Sequence, residues 1–252
     1  MLRAFGYWIT VYRRTWRGSI VISVLNPLLF LTGIGAGLGA LVDDNAPAQI
    51  AGVPYAAFFA PGMLAAAAMQ SAFLEGSAGV ARAARSGAYR GATPTPLEPE
   101  QLAAGHLFFI AFRVFTASGA FIAVMAAFGL IRGWWVLGAL LGATLTGMAF
   151  AAPAAAWAVG VRKMRHIDTM FRFVIMPLYM FSGTFFAVAQ LPGWIRPVSY
   201  VLPLWHGVEL CRTLSLGTAT LTGSSIHVGY LLVLAVGGFL VARVTYRRRL
   251  HA

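Results

Sequence analysis

Long stretches of this chain contain no Asp, Glu, Lys or Arg, and that leaves few folds open. They cover residues 18–42, 45–74, 114–131, 133–161, 173–195 and 213–242. Pro47 and Pro54 move the start of the second toward Tyr55, the third begins near Leu107, and the core of the last is 225–242. A helix crosses the hydrocarbon of a bilayer with roughly 20 apolar residues. Each run is long enough, and nothing in hydrocarbon satisfies an open sheet edge, so helices are expected. A membrane barrel would show alternating strands of about ten residues instead. Apolar residues make up 59% of the chain and charged ones 10%. A soluble domain has about 25% charged residues, so an ordinary soluble enzyme, a disordered tail and a coiled coil are excluded. Six spans and their loops use up the length. The expectation is an all-α integral membrane protein with six transmembrane helices in one domain over 1–252.

Orientation follows from where the basic residues lie. The net charge is +12, with Lys163 the only lysine. Arg3, Arg13, Arg14 and Arg17 precede the first span, and Arg82, Arg85 and Arg90 follow the second. Arg162, Lys163, Arg165 and Arg172 follow the fourth, and Arg243, Arg247, Arg248 and Arg249 follow the last. The other connections hold only Arg132, Arg196 and Arg212, with Asp43 and Asp44 in the first. This alternation places both termini in the cytoplasm. It also explains the basic balance without a nucleic-acid partner. The N-terminal segment 1–17 mixes Phe5, Tyr7, Trp8, Tyr12 and Trp16 with arginine and has no cleavage site after a short apolar core, so it is not a signal peptide. It suits an interfacial helix; an aromatic, positive flank of the first span is the plainer alternative.

Three segments carry more than a span or a loop requires. The cytoplasmic loop 76–100 offers Ser77 as an N-cap, an alanine-rich helix over 78–90, Gly91 as a stop, and Pro94, Pro96 and Pro99 beyond it. Arg82, Arg85 and Tyr89 fall at spacings of three and four and would share one face, as a docking element or as a solvated positive loop. The outer segment 190–216 is far more apolar than a solvated loop. Pro192, Pro197 and Pro203 divide it, which predicts re-entrant half-helices buried in protein, with an interfacial aromatic anchor as the alternative. Glu209 and Arg212 lie three apart and can pair on one helical face. Gly33, Gly35, Gly37 and Gly39 form overlapping G-x-x-x-G pairs suited to close helix packing, within the chain or between subunits. Arg113 sits about two turns inside the third span; it is either functional or snorkels to the cytoplasmic edge.

Catalytic signatures are missing. There is no G-x-x-x-x-G-K-[ST] phosphate loop, no H-E-x-x-H and no G-x-S-x-G. Cys211 is the single cysteine, so neither an intrachain disulfide nor a cysteine zinc site is available. No cofactor or metal is expected on this chain, and intramembrane carboxylates for a proton relay are nearly absent.

The chain resembles the permease subunits of type-2 ABC exporters, in the branch that includes nodulation protein J and daunorubicin-resistance permeases. The most specific match is residues 176–217. It has the small pair Ser182-Gly183, the aromatic Phe185 and Phe186, Leu191-Pro192, Pro203-Leu204, and Glu209 near Arg212. A second match is the loop with Arg85, Gly87, Arg90 and Thr93, closing on Pro96-Leu97.

The resemblance implies a non-catalytic permease in a bacterial inner membrane, paired with a second permease as a homodimer or with a related chain. A separate cytoplasmic ABC ATPase would bind ATP and Mg. Arg82, Arg85, Tyr89, Arg90, Thr93, Pro96 and Leu97 would couple to that ATPase through the coupling helix. Phe185, Phe186, Trp194, Tyr200, Trp205, Glu209 and Arg212 would line the outer gate and substrate path. The cargo would be an amphipathic drug, lipid or lipid-linked saccharide, moved outward among membrane lipids. A stand-alone secondary carrier is the alternative, and an intramembrane lipid-modifying enzyme a weaker one.

Overall fold

A computed structural model describes residues 2–38, 53–89, 98–131 and 133–250 of the chain. The regular structure among them is helical throughout. Helix α1, Leu2–Phe30, continues as a π-helical stretch, Leu31–Leu38. Helix α2, Tyr55–Leu74, passes through a π-helical turn, Glu75–Gly79, into α3, Val80–Arg85. Then come α4, Pro99–Ala127, and α5, Val136–Ala158. Helix α6, Arg165–Met170, joins α7, Met176–Phe181, through the π-helical Phe171–Ile175. Two short helices follow, α8, Arg196–Val201, and α9, Pro203–Leu216, before α10, Leu221–Leu250. Four helical stretches among the described residues are long and apolar enough to cross a membrane: Tyr55–Arg85, Pro99–Ala127, Val136–Ala158 and Leu221–Arg249.

Helix α5 is the hub, packing against α2, α4, α9 and α10. Its sequence explains the position. Ala139, Ala143, Ala151, Ala152, Ala155 and Ala158 are buried along it, and small side chains let helix backbones approach in a medium where the hydrophobic effect does not drive helices together. Its neighbours answer with glycine. A Cβ on Gly76 would lie 2.6 Å from the Ala151 oxygen, and one on Gly238 would lie 2.4 Å from Pro153 Cδ.

Gly33 and Gly37 of the G-x-x-x-G set do not make such contacts. A Cβ on Gly33 would meet nothing within 4 Å, and one on Gly37 only the Thr32 oxygen at 3.9 Å. Gly35 lies in the same π-helical stretch, and Gly39 lies outside the described residues.

Three local expectations are corrected. Ser77 caps no helix: it is buried inside a continuous helical rod, and its hydroxyl donates to the Phe73 oxygen at 2.6 Å. The rod runs from Tyr55 to Arg85 because Gly76 lets it press against α5 where a larger residue would force a break. It then stops at Gly87, with φ +80, rather than at Gly91, since a left-handed residue past a helix end favours glycine. The segment 78–85 therefore extends the second span instead of forming a separate surface helix. At the N-terminus, α1 continues through Gly18 without a break, so 1–17 is not set apart from the helix that follows. Finally, the charge-free run 173–195 is continuously helical only to Phe181, after which Gly183, with φ +77, turns the chain away and a single 3-10 turn follows at Val188–Gln190.

Candidate functional site

Side chains from distant parts of the sequence meet at the two ends of the helical rod Tyr55–Arg85. At the Tyr55 end the centre is Arg212, buried on α9. Its Nε donates to the Phe58 oxygen at 3.2 Å and its Nη2 to the Gly183 oxygen at 2.7 Å. Its Nη1 faces Glu209 Oε2 at 3.4 Å, and the guanidinium lies 3.9 Å from the centre of the Phe58 ring. One charge thus fastens α2, α9 and the turn after α7. The planar fork of arginine suits this, because it presents several donors at fixed angles. Gly62 makes room: a Cβ there would lie 3.0 Å from Arg212 Nη2.

Phe185 sits beside this centre. Its carbonyl accepts from the Tyr55 hydroxyl at 3.0 Å, and its ring packs on Tyr179 at 4.9 Å and Phe59 at 5.7 Å. Tyr200 and Trp205 meet edge-to-face at 4.9 Å. Phe186 is half-buried. Trp194 is 78% exposed and stands apart from the cluster.

The two short helices reach into the bundle. A Cβ on Gly207 would collide with Thr146 Oγ1 at 2.4 Å, while Gly142 faces Leu210 and Gly138 faces Leu214. Helix α9 therefore climbs antiparallel to α5 from its middle to its N-terminal end. The Tyr230 hydroxyl donates to the Val201 oxygen at 2.6 Å. Tyr230 lies nine residues into α10, or about 14 Å at 1.5 Å per residue, so the end of α8 lies at that depth. Pro197 and Pro203 begin the two helices, where a missing N–H costs no intrahelical bond. The proline division is as expected; the aromatic and histidine contacts that hold it were not. His206 Nδ1 and His227 Nδ1 lie 2.9 Å apart, and Tyr230 stacks on His206 at 4.0 Å.

The other end of the rod holds a second cluster. Tyr89 is only 1% exposed. Its hydroxyl lies 2.6 Å from His106 Nδ1 and 3.2 Å from the Tyr246 hydroxyl. Trp8 stacks on His106 at 4.0 Å. Burial holds the Tyr89 hydroxyl well above its ordinary pKa, so it acts as a neutral hydrogen-bonding group. Tyr89 consequently does not share an outward face with Arg82 and Arg85, which are exposed. The reason is the early helix stop: past Gly87 the chain folds back, and helical spacing no longer applies. Arg90, Thr93, Pro96 and Leu97 lie outside the described residues.

Between the clusters, Arg113 forms an ion pair with Glu75, and its guanidinium lies 5.6 Å from the centre of the Tyr12 ring. Both charges were visible in the sequence, but nothing there joined them. Among the described residues, no group of three or more metal-ligating side chains converges.

The sequence of the chain matches a family model and several curated relatives. The family model of the ABC-2 type transporter matches residues 7–216. The chain is similar to Nodulation protein J of Sinorhizobium fredii, 34% identical over 254 residues, covering 96% of this chain and 94% of that protein. It is likewise similar to Nodulation protein J of Rhizobium meliloti, at 32% identity over 251 residues and the same coverage of 96% and 94%. Nodulation protein J of Bradyrhizobium diazoefficiens is 32% identical over 255 residues, again covering 96% and 94%.

Proposed function

The chain belongs to the ABC-2 type transporter family, and on that premise we propose that it forms the membrane pathway of an ATP-driven exporter. It is a multi-pass protein of the bacterial inner membrane and a non-catalytic permease. Permeases of this family work with an ABC ATPase. In the proposed assembly, two permeases stand side by side above two ATPase chains, which bind ATP and Mg. Each permease crosses the membrane six times with both termini in the cytoplasm. The exposed Arg82 and Arg85, with the following Arg90, Thr93, Pro96 and Leu97, dock on the ATPase. Phe185, Phe186, Tyr200, Trp205, Glu209 and Arg212 form the outer gate, with Trp194 at its rim. The cargo is amphipathic: a drug, a lipid or a lipid-linked saccharide.

One observation carries this reading. The unbroken rod Tyr55–Arg85 is about 46 Å long at 1.5 Å per residue. One end is tied to the outer turn through Tyr55–Phe185 and Phe58–Arg212. The other end presents Arg82 and Arg85. A partner biases a two-state permease only through a contact whose free energy differs between the states. A rigid rod is a suitable carrier of that difference, because a tilt imposed at the arginines must be accommodated at the Arg212 cluster.

The test is a mild-detergent purification of the tagged chain from its native membrane, with mass spectrometry of what accompanies it. A stoichiometric ATPase chain with vanadate-sensitive hydrolysis is expected. A chain that purifies alone under several mild conditions would overturn the proposal in favour of a secondary carrier.

A further inference from the structure

A groove between α1, α2 and α4 starts beside the Tyr89 cluster, whose Trp8 and His106 line its first chamber, and runs on past it. It has three connected chambers. The first, about 250 Å³, opens beside Arg82 and Ser86 and is lined further in by Tyr12, Glu75 and Arg113. Those three residues also line the second chamber, about 240 Å³, together with Ser23, Ser71 and Thr116. Ser23 and Ser71 are shared in turn with the third, about 110 Å³, which Leu64, Pro27 and Phe121 close. Ala117 lines both the second and the third.

The lining changes character along its length. Charges stand at the mouth, hydroxyls in the middle, and mostly apolar side chains at the inner end, where Asn26 and Ser118 are the further polar groups. Glu75 and Leu64 are eleven residues apart on the α2 rod, so the groove extends about 16 Å at helical rise. Among the described residues, its charged lining is two arginines, Arg82 and Arg113, against one carboxylate, Glu75, with His106 beside them. The Arg113 and Glu75 side chains keep 28% and 23% of their exposure. A pair that served only to neutralise a half-buried arginine would have no need to face an open cavity that continues past it. Ionisable groups at this depth are costly and are found facing cavities or pathways. Ligand sites are mostly apolar, with a few placed polar groups that set orientation.

We infer that this groove binds an amphiphile with an anionic headgroup, its phosphate or carboxylate held by Arg113 beneath Arg82 and its hydrocarbon lying past Ala117 toward Leu64 and Phe121. Guanidinium groups pair with phosphate and carboxylate through parallel N–H bonds. The site deepens the exporter reading and rests on it for the idea that the bound amphiphile is cargo; a resident acidic lipid has the same chemistry.

The experiment places the full-length chain in phosphatidylcholine nanodiscs. These are doped with photoactivatable phosphatidylglycerol or photoactivatable phosphatidylcholine, and labelled peptides are mapped by mass spectrometry. Peptides containing Ser71 and Ala117 are expected to take the anionic probe several-fold over the zwitterionic one. Arg113→Gln lowers that preference, Arg113→Lys keeps most of it, and Glu75→Gln raises it by removing the competing carboxylate. Ala117→Phe fills the passage and removes groove labelling while labelling elsewhere persists. Equal labelling by the two probes, or Arg113→Gln and Glu75→Gln shifting the preference in the same direction, would overturn the site. With the ATPase and ATP present, a fall in groove labelling marks the amphiphile as cargo, and constant labelling marks a resident lipid; both require the site. Failure to recruit an ATPase sinks the exporter reading without touching the labelling, and the converse also holds.

Discussion

The Nδ1 atoms of His206 and His227 lie 2.9 Å apart, one ring donating to the other. The bond joins α9 to α10 at the level where Tyr230 stacks on His206. A neutral hydrogen bond contributes about 1 kcal/mol. His206→Ala and His227→Ala are therefore expected to be non-additive by about that amount in a double-mutant cycle, read from thermal unfolding in detergent. Strictly additive losses would show that the two rings do not stabilise each other.

Arg212 should tolerate no replacement. Arg212→Met leaves the Gly183 carbonyl without its donor and the Phe58 carbonyl with its helical donor alone, at about 1–3 kcal/mol for a buried group left unsatisfied. Arg212→Lys is expected to recover little, because a single ammonium lacks the fixed fork that serves both carbonyls. A lysine variant melting with the parent protein would refute this.

Tyr89 and the two arginines should separate cleanly. Arg82→Ala with Arg85→Ala is expected to shift unfolding by no more than about 0.5 kcal/mol, as surface changes do, yet to weaken ATPase recovery in the pull-down. Tyr89→Ala removes a buried ring bonded to His106 and Tyr246 and should lower stability by about 3 kcal/mol, within the range for large aromatics. Wild-type melting of Tyr89→Ala would mean that the cluster around it is loosely held.

The glycines divide in the same way. Gly238→Leu places a side chain against Pro153, where even a Cβ comes within 2.4 Å, and little folded protein is expected in the membrane. Gly33→Leu with Gly37→Leu meets open space, so the chain should insert normally. Its self-association, measured by cross-linking in native membranes, should fall if this face meets the second permease. Unchanged cross-linking would assign the face to lipid.

Much of the fold was legible from the charge-free runs, because hydrocarbon imposes one requirement, internal backbone hydrogen bonding, and helices meet it locally. Pro197 and Pro203 likewise announce two short helices, since a proline favours the first turn wherever it falls. Where the helix that starts at Tyr55 ends was less legible. Ser77 and Gly91 look like a cap and a stop, but the packing of Gly76 on Ala151 carries the helix through the first, and Gly87 ends it before the second. Tyr89 shows the consequence: its spacing from Arg82 and Arg85 suggests one face, yet it is buried against residues 17 and 157 positions away.

The sequence by itself determined the helical class and the long apolar helices, because those depend on transfer between water and hydrocarbon, residue by residue. Only the tertiary structure decided that Arg212 reaches Phe58 and Gly183, that Glu75 meets Arg113, and that His206 meets His227. Each partnership depends on how closely helices approach around α5, and that distance is set by the fit of alanine and glycine across the interfaces, which no single segment encodes.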